Sequence, residues 1–254
     1  MRPRFWALLI MCVVLPRAAA GEERNRREPK RPEARVLAFF FSARWTSIEE
    51  FFRSRRPAPV TPEVRAQVIA GLPRDGELHP TPAEQKKLAA LEAVLALHER
   101  RGIIEVKLIE VGQACVALHA RAVVLVSRDA LALVSPEELQ ALAAHELAHE
   151  YFWDDYQAAI RENAWERRQE MELMCDGFAV MALRLLGVDP DRLLSAVTKL
   201  TRYNERVRAT ATAGAYVSLD ERRRFIMAVA ELIQAKEQTQ EAGHQTASDE
   251  LLRR

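Results

Sequence analysis

The sequence predicts an α+β fold, mostly helical, with a small sheet lying over one helix in the second half of the chain. Helix starts recur as capping signals: Thr81-Pro82-Ala83-Glu84, Ser135-Pro136-Glu137-Glu138, Asp189-Pro190 and Ser218 each offer an acceptor to orphan backbone N–H groups. Strand-like alternation is confined to Ile103 to Val111 and to the apolar segments around Cys115 and Val124 that follow it. With 254 residues, 49% of them hydrophobic, and no internal repeat, the chain is long enough to bury one sizeable core.

At the N-terminus, Met1-Arg2-Pro3-Arg4 is basic, Phe5 to Leu15 is an apolar run of 11 residues, and Ala18-Ala19-Ala20 precedes Gly21. This is the pattern of a signal peptide over residues 1–20 and predicts export, to the periplasm or beyond. The run is well short of the roughly 20 apolar residues a membrane-spanning helix needs, and no cysteine follows the cut to suggest a lipoprotein. Loss of Arg2, Arg4 and Arg17 with the leader moves the formal charge from +1 to −2. Such a near balance gives no electrostatic footprint for nucleic acid.

Residues 21–35 alternate Arg, Lys, Glu and Pro with little to bury and are expected as a disordered lead-in. Residues 36–80 form an N-terminal segment. Within it, Val36 to Arg56 concentrates Phe39, Phe40, Phe41, Trp45, Phe51 and Phe52. These aromatics predict a strand and short helix packed on the main domain; the competing reading of residues 36–56 is a docking or membrane-surface element. Prolines 57, 59 and 62 then break the chain before a short helix from about Glu63 to Ala70. The main domain spans residues 81–238, opening with a helix from Thr81 to about Arg101 and continuing through the sheet segments to a helix starting at Ser135. A second long helix is expected from about Ala158 to Leu186, further helices start near Asp189 and Ser218, and residues 239–254 read as a disordered tail.

The Ser135 helix carries His145-Glu146-Leu147-Ala148-His149. Side chains four apart lie on one helix face about 6 Å apart along the axis, so both imidazoles can reach one zinc ion at roughly 2.0 to 2.1 Å. Glu146, one residue round from the first histidine, is placed to take a proton from a water at the metal. Leu139, Leu142, Ala143, Leu147 and Ala148 recur at helical spacing, so the histidines sit on a partly apolar helix, where unpaired rings are costly and a shared metal accounts for both.

A hydrolytic zinc takes three protein ligands and keeps a fourth position open. Glu172, 23 residues after His149, is the best third ligand, and Asp176, one helical turn on, can accept the remaining ring N–H of a ligand histidine. Glu170 competes, but its helix phase differs from that of Glu172 by about 200°, so only one of the two faces the metal. Cys115 offers another site with His145 and His149, of the kind peptide deformylases use. Those enzymes work in the cytosol and carry their zinc helix near the chain end, unlike this chain. His79, His98, His119 and His244 have no partner at ligand spacing.

The His-Glu-x-x-His pentapeptide followed by Glu-x-x-x-Asp resembles the gluzincin peptidases of the HtpX-like group, which includes CAAX prenyl endopeptidases. The resemblance runs from about Pro82 to Ala230, and takes in Gln113 to Leu118, Ala122 to Ser127 and Ser218 to Arg222. It implies a zincin-like metallopeptidase domain with one zinc ion per chain on His145, His149 and Glu172. It further implies Glu146 as general base and Asp176 orienting a ligand. Tyr216-Val217 stand where the family shows His-Pro, so the role of that histidine passes to Tyr216, whose hydroxyl can donate to an oxyanion, or lapses. Arg222 is a further candidate, as an oxyanion donor or a structural residue. The connection from His149 to Glu172 carries Asp154, Asp155, Arg161, Glu162, Glu166, Arg167 and Arg168, which excludes the membrane hairpin some relatives insert there.

After leader removal Cys115 and Cys175 are the only cysteines, and they read either as a disulfide or as two small buried thiols. The expected function is therefore an exported zinc endopeptidase that adds a peptide or unfolded protein to an exposed sheet edge at Cys115 to Leu118 and cuts it. The alternative is a non-catalytic, chaperone-like module of the same fold that keeps zinc for structure.

Overall fold

Helix starts fall at the capping signals, and the rest of the architecture follows from where those helices bury their apolar faces. The structure, a computed structural model, describes residues 32–73, 76–207 and 217–252, with side chains as far as residue 239. The leader at 1–20, the lead-in as far as residue 31, and Tyr216 lie outside the described residues. In chain order the elements are α1 (Pro32–Ser42), α2 (Ile48–Arg55), α3 (Pro62–Gly71), β1 (Glu77–Leu78), α4 (Pro82–Leu88), α5 (Leu91–Leu97), β2 (Glu105–Ile109), β3 (Val116–His119) and β4 (Val123–Ser127). There follow α6 (Arg128–Leu133), α7 (Pro136–Ala148), a 3₁₀ turn (His149–Phe152), α8 (Trp153–Arg161), α9 (Trp165–Leu186), α10 (Asp191–Val207) and α11 (Leu219–Leu252). The class is α+β and mostly helical, as expected, with one four-stranded mixed sheet. Among the described residues no helix is long and apolar enough to cross a membrane.

The sheet order is β1-β2-β4-β3, with β2 and β4 parallel and both outer pairs antiparallel. Central β4, Val-Val-Leu-Val-Ser, is buried at every position, which is why it reads as a continuous apolar run rather than an alternating one. Leu108, Val116, Leu118, Val124 and Val126 join the main core with α7. On the opposite face Ile109, Cys115, Val123 and Leu125 pack with Val68, Ile69 and Leu72 of α3 and its C-cap. Strand β3 forms one edge, so the prediction of a small sheet over the motif helix holds.

α7 is opened by the expected capping box, with Ser135 accepting from Glu138 N–H and Glu138 accepting from Ser135 N–H at 2.7 Å. Buried Glu138 also accepts from Lys199 Nζ at 2.8 Å and Ser195 Oγ at 2.6 Å, tying the start of α7 to α10. The other helix starts behave similarly at Thr81 and Ser218, each paired reciprocally with a glutamate three residues on.

Several expectations are corrected. Val36 onward is helix, not strand: Val36 and Phe40, one turn apart, are both buried, while Phe41 is 61% exposed. α1 also starts at Pro32, inside the segment expected as disordered, where Glu33 pairs with Arg224 and Arg35 with Glu170. Phe40, Phe51 and Phe52 enter the core, with Phe39 and Trp45 packed against it, as the packing reading requires. Phe40, Phe51 and Phe52 close on Phe178 of α9 with centroids 5.1 to 6.1 Å apart.

The helix expected from Thr81 to Arg101 is two, with a break at Ala89 and Ala90. That expected from Ala158 to Leu186 is also two. Asn163 takes a left-handed conformation, φ 53°, and stops α8 before α9 begins. The expected tail remains helical through Leu252, in a stretch rich in helix-forming Gln, Glu and Ala and free of proline.

Candidate metal centre

His145 stands in the last turn of α7 and His149 at its C-cap, so both rings project from one face, their centroids 5.1 Å apart. Apolar neighbours Leu139, Leu142, Leu147 and Ala148 hold that helix in the core, and each histidine is only 6% exposed. α9 passes alongside. Its residues Glu172 and Asp176, four apart, share the face turned to the histidines.

Glu172 Oε2 lies 3.4 Å from His145 Nε2, and Glu172 Oε1 lies 3.7 Å from His149 Nε2. One carboxylate thus faces both imidazoles. Asp176 Oδ1 is 2.8 Å from His145 Nδ1, a contact that holds the ring by Nδ1 and turns Nε2 toward Glu172, the nitrogen that would be free for a metal once its proton is lost. Glu170 points away and pairs with Arg35, so the helix-phase argument selects the residue that meets the histidines. His145, Glu146 and His149 each offer a ligand atom within 4.8 Å of the other two.

Arg222 of α11 donates from Nη2 to Glu172 Oε2 at 2.9 Å and sets Nε 3.4 Å from Asp176 Oδ2. The latter is a charge contact without hydrogen-bond geometry, and Asp176 Oδ2 has no hydrogen-bond partner among the described residues. Arg222 therefore serves the acidic pair on α9 and is structural in this arrangement. Tyr156 of α8, which sequence reasoning passed over, donates its hydroxyl to Glu172 Oε1 at 3.3 Å and sets its ring 4.7 Å from that of His149. Its seven-residue spacing from His149 would be a signal only on one continuous α-helix, and the 3₁₀ turn at His149–Phe152 interrupts it.

Cys115 is not part of this group. Its side chain belongs to the apolar cluster on the far face of the sheet, which removes the Cys115, His145, His149 site. Cys175 is buried in the main core, and no disulfide joins the two thiols. His98 is buried and bonded to the Tyr151 hydroxyl at 3.0 Å, His79 is exposed, and neither approaches the centre.

Burial lifts the Glu146 carboxyl to about 7, even though His145 and the Leu118 N–H pull it down. Burial pushes His149 down to about 4. Burial would lower His145 too, but the hydrogen bonds of Asp176 and Glu172 hold it up at about 10. Glu172 is held below the usual carboxylate range: burial opposes this, and His145, His149 and Arg222 overcome it. Three carboxylates, Glu146, Glu172 and Asp176, thus surround one permanent cation, Arg222. A bound divalent cation would neutralise the excess that an imidazolium at His145 otherwise offsets. Two imidazole nitrogens and a carboxylate are also a borderline-soft donor set suited to zinc, so the residues present fit that metal.

The 3₁₀ turn that carries His149 is clamped from below. Glu150, buried beside it, takes Arg100 Nε at 2.8 Å and Arg121 Nη2 at 3.2 Å, and Arg100 also reaches the Pro57 carbonyl at 2.6 Å. Breaking such a buried pair from one side costs about 3 to 5 kcal/mol. A scan against family models and a comparison with curated proteins both return no match for this chain.

Proposed function

We propose that this chain is an exported zinc-dependent endopeptidase of zincin-like fold, similar to the HtpX-like gluzincins. The observation that carries the reading is the convergence of Glu172 on both imidazoles, with Asp176 behind His145, from a helix separated from the motif in sequence. His145 Nε2, His149 Nε2 and Glu172 would hold the metal. When bound, zinc supplies Lewis-acid polarisation of a peptide carbonyl and a more acidic water.

The chain's own groups do the rest. Glu146, whose carboxyl burial holds above the ordinary carboxylate range, is the group placed to accept and return a proton. Its Oε2 is held by the Leu118 N–H at 2.9 Å, and Oε1 takes the proton of the attacking water and returns it to the departing amine. Because Leu118 lies on β3, at the edge of the sheet, an extended substrate added there would run past Glu146. Arg222 donates to Glu172 and sets its charge against Asp176, so in this reading it positions ligands and is not assigned to the oxyanion.

Glu146→Gln tests this reading against the zinc-binding module. It preserves shape and every proposed ligand, so zinc should stay while hydrolysis of an unfolded protein falls at least about 100-fold. Equal turnover by variant and wild type, with metal retained in both, would exclude the peptidase mechanism.

A further inference from the structure

We infer that Tyr156 is a positioning residue of the metal centre that orients two of its three ligands from one side chain. The inference rests on the zinc site proposed above. Glu172 presents one oxygen to each histidine, and each oxygen has its own outside donor: Arg222 Nη2 on Oε2 at 2.9 Å and Tyr156 hydroxyl on Oε1 at 3.3 Å. The carboxylate is therefore pinned at both ends, which fixes its rotation about the Cγ–Cδ bond. A terminal carboxylate torsion is otherwise broad, so this pinning removes freedom that metal binding would have to remove.

The two donors differ in kind. Arg222 brings a full positive charge, which weakens the attraction of Glu172 for a cation as it holds it. A phenol donates without that charge and so orients the carboxylate while leaving its negative charge for the metal. The same residue also braces His149, whose ring it meets edge-on at 4.7 Å and 63°. That contact matters because His149 Nδ1 is buried with no hydrogen-bond partner among the described residues, whereas His145 has Asp176. Ring contact takes the place of the missing hydrogen bond in setting the orientation of His149. Tyr156 is itself only 4% exposed and is carried on α8, directly after the 3₁₀ turn that holds His149. The geometry leaves it little freedom to do otherwise.

Tyr156→Phe keeps the ring and removes only the hydroxyl. Zinc affinity of the full chain, measured by competition with a chromophoric chelator, should fall roughly 10- to 100-fold, the range for a group that orients a metal ligand. The melting temperature of the metal-free protein should change little, and the visible spectrum of the cobalt-substituted form should shift. In a Glu172→Ala background the same change should lower zinc affinity no further, since the hydroxyl acts through Glu172. Unchanged affinity and cobalt spectrum in Tyr156→Phe, or additive losses in the double variant, would overturn the inference. A wild-type chain that binds no zinc would instead sink the metal site itself, so the two failures are told apart.

Discussion

Two carboxylates two residues apart on α9 behave in opposite ways, and the difference is helix phase. Glu172 meets the histidines while Glu170 meets Arg35. Glu172→Ala should accordingly lower zinc affinity steeply, to weak binding through the two histidines, and Glu170→Ala should leave it intact while costing no more than about 1 kcal/mol, the worth of a surface ion pair. Metal content after dialysis against a weak chelator reads both, and zinc retained in Glu172→Ala would remove it as a ligand. At this scale the sequence is most legible. Residues joined by local spacing, His145, Glu146 and His149, can be found without coordinates, and so can Glu172 and Asp176 once the helix is assumed. Tyr156 could not be placed, because the switch from α to 3₁₀ and back between His149 and Trp153 resets the phase on which its position depends. The partners of Arg222, about fifty residues back along the chain, leave no local trace at all.

Among the elements, α9 does most to connect the centre with the rest of the molecule. Its residues 172 and 176 face the histidines, while Gly177 and Phe178 face the aromatic helices α1 and α2. Gly177 is required by close approach: a Cβ at that position would overlap the Phe40 ring. Gly177→Ala gains helix propensity on its own, yet it should destabilise the protein by about 1 to 3 kcal/mol through overpacking, and denaturant unfolding measures the balance. A net stabilisation would show that α1 can shift without loss. The sequence marks the starts of elements well, because caps are local chemistry at Thr81, Ser135 and Ser218. Their breaks and types are harder. Asn163 ends α8 by a left-handed residue that an apolar-period reading runs straight through. Three consecutive phenylalanines at 39 to 41 carry no period, so only burial against Phe178 and Phe225 selects helix for α1.

Across the whole molecule, the N-terminal helices and the half that carries the histidine pair share one core, joined where Phe52, His98, Tyr151 and Phe178 meet. His98 stands at that junction, bonded to the Tyr151 hydroxyl, and its Nε2 is buried without a hydrogen-bond partner among the described residues. Burial, helped by the nearby positive charges of Arg100 and Arg56, pushes its pKa down from 6.5 to about 3. The sign follows from proton binding. Between those two values an unfolded chain takes up a proton that the folded chain refuses, so this contribution to stability is fully present above pH 6.5 and is lost as pH falls toward 3. Within that window the loss approaches about 1.4 kcal/mol per pH unit for this one group. His98→Phe retains the aromatic packing but cannot protonate. Urea unfolding of both proteins, each with chelator so that metal does not contribute, should therefore give curves whose difference narrows steadily as the pH is lowered from 6.5. The variant, weaker at neutral pH for want of a partner to Tyr151, should close the gap in acid. Since the acid response of His145, His149 and the carboxylates is common to both proteins, it cancels in that difference. Parallel curves across the window would mean that His98 is protonated in the folded chain and that the junction admits a charge.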